Sequence, residues 1–320
     1  MSPNTLPMRL IRGLPAKGLT PCVLTIGTFD GLHLGHQALI VRTQERAGSL
    51  GLPAGLLSFE PMPREFLQAT DPPARLTNFR ERWHLLAQAQ LQRLHLLAFN
   101  DRLRAMSGGQ FMELLRTLGA RVIIVGHDFR FARDGEATAE WCAAEASAYD
   151  FEVEIIAPVR ILDERVSSGL VRGALQAGDL PRAAQLLGRP YTMRGRVRRG
   201  AQLGRTLGYP TANLAIHRRR APLQGIFAVR VHGEALKRAT GEVRGWPAVA
   251  SLGTRPTVNG VEPLLEVHLF DLTAELYGAE LEVEFVARLR AELRFASLDA
   301  MVAQMHRDAA EARAILARLV

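Results

Sequence analysis

Five short apolar runs separated by four stretches of helical spacing constrain the first half of this chain more than anything else in it. The runs are CVLTIG (22–27), AGLLSF (54–59), LHLLAF (94–99), RVIIVG (121–126) and EVEIIA (152–157). Runs of this length, apolar on both faces, read as strands buried inside a parallel sheet. The stretches 35–48, 78–91, 107–118 and 137–149 carry the helical period between them. Strand–helix–strand units with right-handed crossovers build an open α/β sheet, whose ligands sit beyond the carboxyl ends of the strands. The loops after Ile26, Phe59 and Val125 all leave that edge.

The period changes further on. A helical stretch at 169–187, interrupted by Ala-Gly-Asp and a proline, leads into LGRPY at 187–191. Then come YTMRGRVRRG, GIFAVRVHG, GWPAVASLG, LLEVHLFD and LEVEFVARL, β-rich runs divided by Gly, Pro and Asn turns. No crossover helix is expected among them, so a small antiparallel barrel is predicted, closed by a helix over 297–319. The expected domains are 1–185 and 186–320.

Composition removes several classes of function. Of 320 residues, 48% are hydrophobic and 22% charged, as in ordinary globular proteins. No apolar run approaches the roughly 18 residues of a membrane span. The opening MSPNTLPMRLIRGLPAKG is too broken by proline and arginine for a secretory signal. Cys22 and Cys142 are isolated from each other and from any zinc-type spacing. A cytoplasmic protein without a membrane partner is expected.

The net charge of +8 is unevenly placed: up to Arg182 there are 20 Lys+Arg against 19 Asp+Glu, and from Ala183 onward 20 against 13. Eight arginines fall between Arg194 and Arg220. A basic patch of this kind suits nucleic acid or a polyphosphate. Single-strand binding relies on aromatic platforms, and Tyr209 is the only aromatic residue in that window. No nucleic-acid partner is expected.

Where the first strand hands over to its helix, the chain reads TIGTFDGLHLGHQAL (25–39). A helix N-terminus presents unpaired N–H groups and a positive dipole end, which favour phosphate. Glycines 27, 31 and 35 let backbone approach an anion. His33 and His36, three apart, project to one side of the first turn, where imidazoles of ordinary pKa about 6.5 can stabilise charge on a phosphoryl group. Two histidines on a surface turn is the plainer alternative. In the C-terminal half, GRVRRGAQLGRTLGYPTANL (195–214) is a glycine-punctuated basic loop that could wrap a polyphosphate. Thr211 and Asn213 offer neutral hard oxygens suited to a magnesium ion that also holds nucleotide phosphates. No G-x-x-x-x-G-K-[ST] occurs, so a kinase here is not of the P-loop kind.

These segments resemble the bacterial bifunctional riboflavin kinase/FMN adenylyltransferases, also called FAD synthetases. GTFDGLHLGH is similar to their G-x-F-D-G-x-H-x-G-H, FEPMPREF (59–66) to F-E-P-H-P, VGHDFRF (125–131) to V-G-x-D-F-x-F, and VSSGLVR (166–172) to I-S-S-T-x-I-R. PTAN (210–213), SLGTRPTVNG (251–260) and LLEVHLFD (264–271) resemble the kinase signatures. The resemblance runs from about residue 20 to the end. It implies a nucleotidylyltransferase-like, Rossmann-like sheet followed by a riboflavin-kinase barrel, with riboflavin, FMN and ATP as substrates and FMN and FAD as products. It implies that Gly27, Phe29, Asp30, His33, His36, Asp128, Ser168 and Arg172 bind ATP in the first domain, His33 and His36 being catalytic. Plain N-capping is the alternative for Ser167 and Ser168. In the second domain it implies Gly195, Gly200, Gly204, Arg205, Gly208, Pro210, Thr211 and Asn213 around ATP and flavin. Thr211 and Asn213 would hold Mg2+, and Glu266 would be the general base; without the resemblance Glu266 reads as an edge-strand carboxylate. Met62, Gly169 and Ser251 replace the usual His, Thr and Asn, and the segment after Phe131 is about two residues short. A kinase with weak or lost adenylyltransferase activity is therefore the alternative. Self-association, if any, is expected to be weak.

Overall fold

All five apolar runs become neighbouring strands of one parallel sheet. In the computed structural model, which describes residues 7–15, 18–200, 208–257 and 260–318, these are β2 (Cys22–Ile26), β3 (Ala54–Phe59), β4 (Arg93–Leu97), β5 (Ala120–Gly126) and β8 (Glu152–Ile156). A sixth strand, β1 (Arg9–Arg12), pairs in parallel with β4 at the sheet edge. The sequence reading missed it because RLIR has only two apolar residues between charged ends, an edge-strand pattern without a buried run. The sheet order is β1-β4-β3-β2-β5-β8. The chain thus reverses direction across the sheet between β2 and β5, the switch point at which such sheets hold ligands.

Helix α1 (Leu34–Leu50) follows β2, and α2 (Pro63–Leu67) and α3 (Phe79–Gln88) lie between β3 and β4. After β4 come α4 (Asp101–Arg104) and α5 (Gly108–Thr117), which Ser107 caps by accepting from Gln110 N. Past β5, a two-residue hairpin of β6 (Arg130–Phe131) and β7 (Ala137–Thr138) precedes α6 (Ala139–Glu145). One sheet face packs Leu24, Ile26, Leu57, Leu97, Ile123 and Val125 against Phe111, Met112, Leu115 and Cys142 of α5 and α6. A second short hairpin, β9 (Arg160–Ile161) and β10 (Glu164–Arg165), follows β8.

The helical stretch predicted over 169–187 is two helices, α7 (Ser168–Ala177) and α8 (Leu180–Leu187). The break is local chemistry: Gly178 is left-handed at φ 78, and Asp179 caps α8 by accepting from Arg182 N.

Six antiparallel strands then close into a barrel in the order β11-β12-β15-β14-β13-β16. They are β11 (Thr192–Arg198), β12 (Ala212–Ala215), β13 (Gly225–His232), β14 (Trp246–Thr257), β15 (Gly260–Leu269) and β16 (Glu280–Arg290). The sequence reading had five of these and placed the sixth, β12, in a loop. A short helix, α9 (Glu234–Thr240), joins β13 to β14, and α10 (Leu298–Ala317) follows the barrel. Phe227, Ala250, Val267 and Phe285 share the lumen, while Ala228 on the outer face meets Ala309, Ala312 and Leu316 of α10.

Contacts group the chain into two compact units. One comprises Met1–Pro73 and Arg82–Ser167; the other comprises Ala74–Glu81 and Ser168–Val320. Within the second, the Arg218 guanidinium and the Glu81 carboxylate form a buried ion pair, and Glu81 also accepts from the backbone N–H groups of Asn78 and Arg194 at 2.7 Å each.

Candidate active sites

The residues from Gly27 to His36 form a tight loop and first helical turn. Phe29, Gly31 and Leu32 all have positive φ, at 52, 82 and 46 degrees. Two of these are not glycine, so the loop is held in a conformation its own residues disfavour, as happens at ligand sites. Its contacts hold it there. Phe29 is fully buried and Asp30 is 1% exposed. The Thr28 carbonyl accepts from Arg82 Nη1 at 2.8 Å and from Ser58 Oγ at 3.4 Å. Arg82, itself buried, gives its other terminal nitrogen to Glu60 Oε2 at 2.9 Å. This guanidinium therefore ties the loops after β2 and β3 together. Nothing in the motifs singled it out, since one Arg on a helix carries no spacing signal.

His33 is the N-cap of α1, and its Nδ1 accepts from the backbone N–H of His36 at 3.4 Å. An accepting Nδ1 puts the ring proton on Nε2. The two imidazoles stack with centroids 3.7 Å apart, and the His36 ring lies 4.7 Å from that of Phe29. His36 Nδ1 is buried without a hydrogen-bond partner among the described residues. Burial, then the neighbouring His33, then the Arg82 charge push the His36 pKa well below its ordinary value. His36 is consequently uncharged at neutral pH in the ligand-free protein: a neutral imidazole with an unmet polar atom, held at the positive end of a helix.

Of the other residues expected around this site, Gly27 directly follows β2 and Asp128 lies two residues after β5, the strand paired to β2. Asp128 is exposed and ion-paired to Arg165, a partner the sequence reading did not name. Met62 is buried at the start of α2, in the turn after the cis peptide bond between Glu60 and Pro61. Ser168 begins α7 and Arg172 Nε donates to the Ala74 carbonyl at 2.6 Å, so both group with the second unit.

On the barrel, register decides the geometry. Arg198 lies opposite Asn213, Asn213 opposite Glu266, and Glu266 opposite Ser251. Directly opposed residues project from the same face. Their sequence neighbours Leu214, Leu265 and Val267 are buried in the lumen. The row therefore stands on the outer wall. Thr211 lies two residues before Asn213, immediately ahead of β12.

Gly200 explains why the chain can fold back over the row. A Cβ there would sit 2.5 Å from Asn213 Nδ2 and 2.8 Å from its Oδ1, so only glycine leaves the amide its place. Gly195 lies within β11 rather than in the expected loop, and its missing Cβ lets the strand approach the Ala215 carbonyl. Gly208 forms a left-handed turn at φ 79 ahead of Pro210. Gly204 and Arg205 lie outside the described residues. Arg198 stands exposed beside Asn213, and Arg199 places its guanidinium 5.3 Å over the Tyr277 ring.

No group of three or more His, Cys, Asp or Glu side chains able to hold a metal occurs among the described residues. A hydroxyl and an amide oxygen, freed by the Gly200 cradle, fit magnesium delivered with a nucleotide that supplies the remaining oxygens. They do not fit a softer ion wanting nitrogen or sulfur.

A family model for riboflavin kinase matches residues 187–316, and one for FAD synthetase matches residues 16–170. The chain is 42% identical over 317 residues to the bifunctional riboflavin kinase/FMN adenylyltransferase of Pseudomonas fluorescens, covering 97% of this chain and 98% of that one. The enzyme of the same name from Haemophilus influenzae is 38% identical, at 96% and 99% coverage. That of Escherichia coli K12 is 39% identical, at 96% and 97%. A crystal structure from Streptococcus pneumoniae, described as a macrolide-efflux protein, superposes with a TM-score of 0.78 at 30% identity, covering 96% of this chain and 99% of that one. No helix among the described residues is long and apolar enough to cross a membrane. Both halves of the two-activity reading are matched, which sets aside the kinase-only alternative. A strained loop and helix start on a parallel sheet, a carboxylate–amide row on a closed barrel and near-full-length relatives lead to one assignment: the chain belongs to the bifunctional riboflavin kinase/FMN adenylyltransferase family and carries both of its activities.

Proposed function

We propose that the sheet unit transfers AMP from ATP to FMN at the β2–α1 loop, and that the barrel phosphorylates riboflavin at the Asn213–Glu266 row. In the first reaction an FMN phosphate oxygen bonds to the α-phosphorus while the bond to the bridging oxygen breaks and pyrophosphate leaves. The stacked histidines carry this reading. Their rings offer N–H donors at a helix N-terminus, aimed at charge that develops on the leaving phosphates. Phosphate charge raises the His36 pKa from its depressed resting position, so the donor strengthens as the substrate arrives. Gly27, Phe29 and Asp30 shape the loop, with Asp128 beside it after β5. The assignment of Ser168 and Arg172 to phosphate rests on motif resemblance alone.

In the second reaction Glu266 orients the terminal ribityl hydroxyl of riboflavin and takes its proton as the oxygen attacks the γ-phosphorus and ADP leaves. Thr211 and Asn213 would hold magnesium, which when bound would supply charge neutralisation for the transferred phosphoryl group. Gly195, Gly200, Gly204, Arg205, Gly208 and Pro210 frame the nucleotide-binding segment. Two buried free cysteines, Cys22 and Cys142, support a reducing cytoplasmic setting. Incubating the purified chain with riboflavin, ATP and magnesium, and separating the flavins over time, tests the scheme. FMN is expected first and FAD after it; FMN that never becomes FAD would remove the first half.

A further inference from the structure

Pro210 immediately precedes Thr211, and its carbonyl accepts from His268 Nδ1 at 2.9 Å. A carbonyl only accepts, so this imidazole carries its proton on Nδ1. The carbonyl belongs to the peptide plane that includes the Thr211 nitrogen and Cα, so holding it fixes where the Thr211 backbone enters β12. His268 sits two residues after Glu266 on β15, on the same outer face. One strand thus supplies the base and the brace.

A second anchor stands on the other side of the turn. Tyr209 Oη is hydrogen-bonded to His306 Nδ1 of α10, and the Tyr209 ring lies 4.9 Å from that of His268. Tyr209 is 7% exposed and packs with Phe270, Ala309, Ala312 and Leu316. The turn that delivers Thr211 is therefore held from β15 through a hydrogen bond and from α10 through a buried phenol.

We propose that His268 is a positioning residue for the magnesium complex of the nucleotide in the kinase site, acting through the Pro210 carbonyl, with the Tyr209–His306 pair as its second anchor. This rests on the assignment of Thr211 and Asn213 to magnesium. His268 touches neither the flavin nor the phosphates in this scheme. Its loss should loosen the metal–nucleotide complex rather than remove chemistry.

The test compares His268→Leu, which cannot donate, with His268→Asn, whose amide can replace the Nδ1 donor. Manganese bound per chain in the presence of ADP is read by electron paramagnetic resonance, and FMN formation is followed against magnesium concentration. His268→Leu should weaken manganese at one site and raise the magnesium requirement about five- to tenfold, the worth of one hydrogen bond. Its FMN-forming kcat at saturating magnesium should stay within about threefold of wild type, as positioning without chemistry implies. His268→Asn should recover most of the shift, and adenylylation of supplied FMN should not change in either variant. Wild-type manganese binding in His268→Leu, or an Asn variant as impaired as Leu, overturns the proposal. Should His268→Leu fail to fold, Tyr209→Phe and His306→Phe carry the comparison, each with a smaller shift of the same kind expected and an unchanged requirement in both counting against the anchor. Thr211→Val separates this idea from its premise: if it leaves manganese binding intact, the metal assignment itself fails, whereas a defect there beside wild-type His268→Leu removes the brace alone.

Discussion

The β2–α1 loop and the outer wall of the barrel are both proposed ATP sites, yet they are built from different materials. The loop is short in sequence, strained and mostly buried, and its polar groups are backbone, the Thr28 hydroxyl, the buried Asp30 carboxylate and two stacked imidazoles, tied by the buried Arg82 guanidinium of α3. The wall is made of side chains from separate strands, set in one row by register and half open to solvent. The difference follows from where charge must be met. A helix terminus brings its own partial positive charge and can use neutral histidines. A barrel wall has no such dipole, so it suits a metal ion and a carboxylate.

If the two regions work separately, each should be breakable alone. Glu266→Gln should lower FMN formation by about 10^2–10^4-fold, as loss of a general base does, and leave FAD formation from supplied FMN intact. His36→Ala should do the reverse, lowering FAD formation by about 10^2–10^3-fold. Flavin chromatography reads both, and a joint fall in either variant would break the comparison. Gly200→Ala sharpens it. The new Cβ would strike the Asn213 amide, so FMN formation should drop by at least about tenfold while FAD formation holds, the effect of a site displaced by under an ångström.

Arg82→Met tests how far the loop depends on its buried tie. Arg82 is buried while Glu60 is part-exposed, and losing its hydrogen bonds to the Thr28 carbonyl and the Glu60 carboxylate costs about 1.5–3 kcal/mol each, so the melting temperature should fall together with FAD formation. FMN formation, measured below the new melting point, should stay near wild type.

The smallest expected effect is pH-dependent. His95 on β4 is fully buried, neither ring nitrogen has a hydrogen-bond partner among the described residues, and burial lowers its pKa to about 4. The unfolded chain titrates this ring near 6.5, so between about 6.5 and 4 the unfolded state binds more protons. Stability should therefore fall with pH across that window, by up to about 3 kcal/mol, and level off below it. Denaturant midpoints of the native chain and His95→Leu, measured from pH 7 to pH 4, should shift relative to each other, the native chain losing ground as the pH falls, since only it loses this increment.

Sequence reading located the loop because the residues of its motif all lie between Gly27 and His36. It named Thr211, Asn213 and Glu266 through motif resemblance but misplaced their surroundings. β12 is four residues long and follows a proline turn, so ANLA gave no strand signal, and Gly195 was read as loop. Arg82, Arg165, His268 and His306 went unnamed in the sites for a related reason. Each acts through a partner distant in sequence, and none has a local pattern that marks it.

The chain's own order of hydrophobic periods determined that a parallel sheet comes first and an antiparallel barrel second, because alternation and helical spacing are properties of neighbouring residues. Local chemistry likewise set the helix start at His33 and the break at Gly178. Tertiary structure alone decided that Asn213 stands opposite Glu266 on the outer wall, that His36 rests uncharged, and that Glu81 pairs with Arg218. Register, desolvation and buried ion pairs arise only when distant segments close on one another, and a one-residue slip of β12 would turn Asn213 into the lumen.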